Sequence, residues 1–135
     1  MKRPTLRFII VLFFSVLFWQ SAALGGETNT GRDLYLKYCS SCHGADGKGK
    51  GPVSSDLKVK VPDLTLLKKN NKGVFPHPRV MSSIDGSRKI RGHGEPVMPV
   101  WGEVFKEELK KEPYKELTTL LKTKVIVDYI STLQR

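Results

Sequence analysis

The stretch Gly31-Arg32-Asp33-Leu34-Tyr35-Leu36-Lys37-Tyr38-Cys39-Ser40-Ser41-Cys42-His43-Gly44 holds both cysteines of the 135-residue chain. Its reading decides the fold. The spacing Cys-x-x-Cys-His is the sequence form of covalent c-type haem attachment. Two thiols three positions apart, near the end of a helix, can add to the two vinyl groups on one edge of a haem. The histidine directly after the second thiol can then offer a ring nitrogen to the iron. Three other readings compete for the same residues. A thioredoxin-like redox pair needs a strand ahead of it and a β-α-β setting, whereas Gly31 to Tyr38 reads as helix. Structural zinc takes four Cys or His ligands, and only His77 and His93, each isolated in a loop, could complete the set. A disulfide between Cys39 and Cys42 would close too small a loop to stabilise much. Haem attachment is the reading adopted.

Working outward to the beginning of the chain, Lys2, Arg3 and Arg7 form a basic region ahead of the mostly apolar run Phe8 to Trp19, and Ser21-Ala22-Ala23 supplies small residues. These are the parts of a secretory signal peptide, which assigns residues 1–23 to the signal and 24–135 to one domain. The apolar run is short of the ~20 residues a membrane-spanning helix needs, although an uncleaved inner-membrane anchor is the alternative. Export agrees with covalent haem, which is assembled outside the cytoplasm, and gives a periplasmic location. Removing Lys2, Arg3 and Arg7 takes the formal charge from +10 to +7. A basic chain is steered towards acidic partner surfaces or anionic lipid head groups, and the plain alternative is a solvated surface. Nucleic acid is discounted, because the lysines are dispersed without basic-aromatic interleaving.

The domain reads as all-helical, with no alternating strand pattern. The spacing predicts a helix from Gly31 to Cys42 with Thr30 as its cap, after a polar terminus at Glu27 to Thr30. A long loop rich in Gly, Pro, Ser and Lys runs from Gly44 to Pro62. Asp63 caps a short helix to Lys69, a turn covers Asn70 to Pro76, and Pro78 to Asp85 forms another helix with Val80, Met81 and Ile84 inward. Gly86 to Pro99 is a loop, and Glu103 to Lys110 a weak helix. The last helix begins at Tyr114 or Thr118 and ends at Leu133, with Leu117, Leu121, Val125, Ile126, Tyr129, Ile130 and Leu133 on one apolar face. Loops this long in a small domain call for something to wrap, and a haem answers.

Across residues 30 to 134 the chain resembles class I c-type cytochromes of bacterial type. Gly31, Leu34 and Tyr35 resemble that family's N-terminal helix, where the glycine allows a close crossing and the aromatic fills the junction. Ile126 and Tyr129 match the opposing C-terminal helix. The resemblance therefore implies a small cytochrome c fold, with terminal helices crossing and loops wrapping one covalent haem c. The run Cys42-His43-Gly44-x-Asp46-Gly47-x-Gly49-x-Gly51-Pro52 also matches. It implies that Pro52 presents its carbonyl to His43 Nδ1–H. The family places a methionine, often followed by proline, on a later loop. Met98-Pro99 fits, and a thioether is a soft, weak donor that favours ferrous iron. His43 and Met98 thus become the axial iron ligands, and Cys39 and Cys42 the covalent attachment points. Met81 is the competing methionine, and His93 or His77 would give a bis-histidine site. Trp101, Phe75 and Leu64 are candidates to line the pocket, with Trp101 N–H directed to a propionate. Arg79, Arg88, Lys89 and Arg91 are candidates to balance propionate charge. The basic stretch Phe105 to Lys124 has no counterpart in the resemblance.

The function this implies is a monomeric, periplasmic, non-enzymatic carrier of single electrons between redox partner proteins with acidic docking surfaces, touching a membrane only peripherally. The alternative is a ligand-binding haem protein, a sensor or a peroxidase-like enzyme, with an open or labile sixth position and His93 as the candidate polar distal group.

Overall fold

The computed structural model describes residues 26–88 and 98–135. The expected signal peptide and Lys89, Arg91 and His93 lie outside them. Among the described residues there are five α-helices, α1 (Gly26–Tyr38), α2 (Ser40–His43), α3 (His77–Asp85), α4 (Trp101–Glu108) and α5 (Lys115–Thr132), and no strand. Three single 3-10 turns, Ser54–Asp56, Leu64–Leu66 and Lys69–Asn71, punctuate the long loops. The all-α reading holds.

α1 and α5 cross where Gly31 is buried against the backbone of α5. A Cβ at Gly31 would run into the Val125 carbonyl oxygen and come within 3.1 Å of Tyr129 Cβ. Only glycine permits that approach. One turn later Tyr35, fully buried, packs its ring 5.3 Å from that of Tyr129, and Ile126 is fully buried beside it. Phe105 of α4, also fully buried, packs edge-on against Tyr38 at 5.0 Å and so brings α4 onto the same core. Val80 and Ile84 of α3 complete it. Gly102 lets α4 cross α3 closely, since a Cβ there would meet the Asp85 carbonyl oxygen at 2.6 Å.

Several boundaries differ from the sequence reading. The first helix begins at Gly26, ahead of Thr30. It does not run unbroken to Cys42. Cys39 interrupts it, and α2 is a separate turn. Asp63 does cap as expected, accepting from Thr65 N at 2.9 Å, but the element is a 3-10 turn rather than a helix to Lys69. The weak helix expected from Glu103 starts earlier, at Trp101.

The larger correction concerns α5. Its buried residues are Thr119, Thr123, Ile126, Val127 and Ile130, whereas Leu117 and Leu121 are 55 % and 51 % exposed. The crossing at Val125 turns Ile126 and Ile130 inward, and helical spacing then carries that stripe back through Thr123 to Thr119. The leucines fall off it. Thr123 Oγ1 is satisfied by the Thr119 carbonyl at 3.0 Å, while Thr119 Oγ1 is buried with no partner among the described residues.

Gly31→Ala is expected to cost about 1–3 kcal/mol despite alanine's better helix propensity, because overpacking against backbone has little room to relax. Thermal unfolding of the variant should show a midpoint several degrees below wild type, while Arg32→Ala, at an exposed position of the same helix, should show almost none of that loss.

Candidate functional site

The cysteine-histidine motif sits where α1 ends against the core. Cys39 is buried, Cys42 is half-buried and both are free thiols. α2 is a single turn held by His43 N to Cys39 O at 2.9 Å and Gly44 N to Ser40 O at 2.8 Å. From the core side, Tyr35 donates its hydroxyl to the Gly44 carbonyl at 2.7 Å. The packed α1–α5 crossing is therefore tied directly to the turn that carries the motif.

The glycine-rich loop then folds back over that turn. Gly49 N–H donates to the His43 carbonyl at 2.7 Å and Gly51 N–H to the Cys42 carbonyl at 3.0 Å. A side chain at Gly51 would collide with the backbone oxygens of Ser40 and Ser41. This close approach overturns one expectation. The carbonyl facing His43 belongs to Pro62, with His43 Nδ1 3.2 Å from it, and not to Pro52. Gly51 is consumed in covering α2, so Pro52 follows it out to an exposed position. Val61 and Pro62 come back across Gly49, where a Cβ would collide with the Val61 carbonyl and lie 3.0 Å from that of Pro62. The partner of His43 thus comes from the returning arm of the loop, ten residues later than the sequence reading placed it.

A carbonyl can only accept, so Nδ1 carries the proton and Nε2 keeps its lone pair. Burial holds the His43 imidazole below its ordinary pKa, against a smaller upward pull from the Pro62 hydrogen bond. The ring is neutral and oriented, the state a metal ligand requires. Burial, and secondarily the neighbouring Cys42, pushes the Cys39 thiol up to about 12. That is opposite to the depressed thiol of a dithiol redox catalyst. Among the described residues no three Cys, His, Asp or Glu side chains converge on a common point.

Cys39 belongs to an apolar cluster with Tyr38, Val80 and Ile84, against which Leu64, Leu67, Phe75, Met81, Met98 and Trp101 pack half-buried. Met98, Trp101, Phe75 and Leu64 thus pack against the same core cluster to which Cys39 belongs. Met81 reaches it as well. Trp101, ahead of the helix expected from Glu103, is the first residue of α4 and lies edge-on to Tyr38 at 5.4 Å and over Phe105 at 6.1 Å. Its indole N–H has no hydrogen-bond partner among the described residues. His77 is exposed and leans edge-on against Phe75, 4.7 Å between ring centres. Arg79 and Arg88 are exposed.

Sequence reasoning missed Pro62 and a polar knot behind Trp101. There Tyr38 donates its hydroxyl to Glu108 at 2.8 Å, and Lys122 of α5 pairs with the same carboxylate at 2.9 Å. Lys122 in particular, with help from Tyr38 and Lys37, holds the Glu108 carboxyl below its usual range. No spacing rule links positions 38, 108 and 122. They meet only through the packing of three helices.

The donor set fits a haem c: two free thiols, a neutral imidazole with Nε2 unprotonated, a thioether and an apolar, partly open surround. Comparison with known families agrees. The family model for cytochrome c oxidase, cbb3-type, subunit III matches residues 26–114, from the start of α1 to the residue before α5. Comparisons with curated proteins and with solved structures gave no match.

Two glycines with positive φ separate strain from contact. Gly49 (φ +75°) lies against the Val61 and Pro62 carbonyls, while Gly73 (φ +83°) has open space around it. Gly73→Ala should cost only the backbone strain, about 1–2 kcal/mol. Gly49→Ala should cost about 1–3 kcal/mol more and reduce the yield of haem-loaded protein. Unfolding midpoints and haem-to-protein absorbance ratios of the pair test this.

Proposed function

Because this chain belongs to the cbb3-type cytochrome c oxidase subunit III family, a family with a c-type cytochrome domain, we propose that it is an exported, monomeric, mono-haem electron carrier with His43 and Met98 as its axial ligands. A cytochrome c domain serves haem-based electron transfer. The observation that carries the finer reading is the buried His43 imidazole, its Nδ1 3.2 Å from the Pro62 carbonyl and its position immediately beside Cys42.

Haem c, when bound, supplies a one-electron ferrous–ferric couple. Cys39 and Cys42 would hold it by thioether bonds, and His43 Nε2 and the Met98 thioether would ligate its iron. With those ligands supplied by the protein, the chain would act as a carrier rather than an enzyme. The half-buried shell of Leu64, Leu67, Phe75 and Trp101 limits water at the site, and the Trp101 indole N–H is left for a propionate. Met98 is favoured over Met81 by its proline-flanked loop, since Met81 belongs to α3 and packs with that helix's apolar side.

Export rests on the first 23 residues. Among the described residues no helix is long and apolar enough to cross a membrane. The partner surface is acidic, met by the basic charge around the motif. Lys50 is exposed there, while Lys48 is paired with Asp46 at 3.0 Å and so presents less free charge.

Denatured protein should retain haem-dependent peroxidase staining, with the mass of one haem added, and Cys39→Ala with Cys42→Ala should abolish both. The oxidised protein should show a sulfur-to-iron charge-transfer band that vanishes in Met98→Ala and persists in Met81→Leu. Met98→Ala should also bind carbon monoxide and have a lower midpoint potential. Wild-type protein that binds carbon monoxide without mutation would make the ligand-binding alternative correct.

Reduction by an acidic redox partner should slow as salt is added, because screening over a Debye length of about 8 Å removes steering, while the midpoint potential stays put. Lys50→Glu should slow it more than Lys48→Glu, whose charge is already met by Asp46. Stopped-flow rates across an ionic-strength series read this directly, and rates that do not change with salt would refute electrostatic docking.

A further inference from the structure

The carbonyl that orients His43 has little to hold it in place by itself. Pro62 is exposed and, as a proline, has no backbone N–H to anchor it. Its position depends on its neighbours. Upstream, Val61 is buried. Downstream, Leu64 N–H donates to the Gly47 carbonyl at 2.7 Å, and Asp63 accepts from Thr65 N–H and from Thr65 Oγ1, the latter at 2.6 Å.

That downstream segment is gripped from 70 residues away. Arg135 Nη2 pairs with Asp63 Oδ2 at 2.9 Å, Arg135 Nε donates to Thr65 Oγ1 at 2.7 Å, and Arg135 N–H donates to the Thr65 carbonyl at 3.2 Å. Gln134 Nε2 donates to the Leu64 carbonyl at 2.7 Å, and Gln134 Oε1 accepts from Lys68 N–H at 2.9 Å. Gln134 Nε2 also returns to the Ile130 carbonyl of α5 at 2.8 Å, so the grip is rooted in the helix that crosses α1. The ends of this network are α5 on one side and the His43 ring on the other.

We propose that Gln134 and Arg135 are positioning residues for His43, acting through Asp63–Thr65 and the Pro62 carbonyl. The inference rests on His43 being the axial ligand. A hydrogen bond from Nδ1–H to a well-placed carbonyl makes the imidazole a stronger donor, which favours the oxidised state of the metal it ligates. Loosening the grip lets the carbonyl drift, weakens the donor and raises the midpoint potential.

The test uses full-length, haem-loaded protein carrying Gln134→Ala and Arg135→Ala together. Its midpoint potential should move positive. In the reduced, diamagnetic protein the His43 Nδ1–H should exchange with solvent about fivefold faster, corresponding to ~1 kcal/mol of hydrogen bond. Arg135→Lys, which keeps the charge beside Asp63, should restore part of both. Lys110→Ala cuts the exposed pair with Glu107 instead, and should leave potential and exchange unchanged. The proposal is overturned if the double variant keeps the wild-type potential and exchange rate, or if Lys110→Ala shifts them equally. Wild-type protein found without covalent haem would refute the carrier reading instead, and the His43 exchange rate would still decide whether Gln134 and Arg135 hold Pro62.

Discussion

The approach of Gly31 to the Val125 carbonyl sets the distance between α1 and α5, and the rest of the site is measured from there. At that separation Tyr35 is enclosed against Tyr129 and Ile126, and its hydroxyl has one acceptor to find, the Gly44 carbonyl just past His43. Burial raises the phenol pKa of this tyrosine far above the ordinary value, with Cys39, Tyr129 and Asp46 adding to the effect. The phenol remains a donor at any physiological pH. A side chain on residue 31 would push α5 away and pull that donor from the motif turn.

From the motif outward, order is imposed by backbone rather than by side chains. The loop after His43 has little apolar content, and it is fixed because Gly49 and Gly51 lay their N–H groups on the carbonyls of His43 and Cys42. Hydrogen bonds of this kind contribute only ~1 kcal/mol each. They decide geometry because the alternative is buried carbonyls without partners. The same economy explains why the His43 partner is a carbonyl, an acceptor that fixes the tautomer without adding charge near the ring.

A small domain of this size has few apolar side chains to spare, and α5 shows how they are allotted. Its second half buries Ile126, Val127 and Ile130, while its first half offers threonines to the core and leucines to solvent. The first half is tied to α4 by the Lys122–Glu108 pair, and the tail beyond it by Gln134 and Arg135. Polar links at the periphery of α5 thus take over where its apolar stripe gives out.

The motif Cys39 to His43, the helical class, the glycine at the crossing and the aromatic that fills it were all legible in the sequence. Each is a local pattern or a residue type with one structural use: a spacing of thiols and imidazole, a helical period, a position with no room for a Cβ. What tertiary structure decided were the partners that meet across the chain. Pro62 replaces Pro52 beside His43 because Gly51 is spent on the backbone of α2, a fact about three-dimensional covering that no spacing encodes. Thr119 and Thr123 replace Leu117 and Leu121 in the core because the crossing angle at Val125 fixes which side of α5 faces in. Gln134 and Arg135 reach Asp63 and Thr65 only because α5 ends beside the returning loop. Periodicity can name an apolar face, but which face turns inward, and which carbonyl a buried ring finds, depends on where the other elements come to rest.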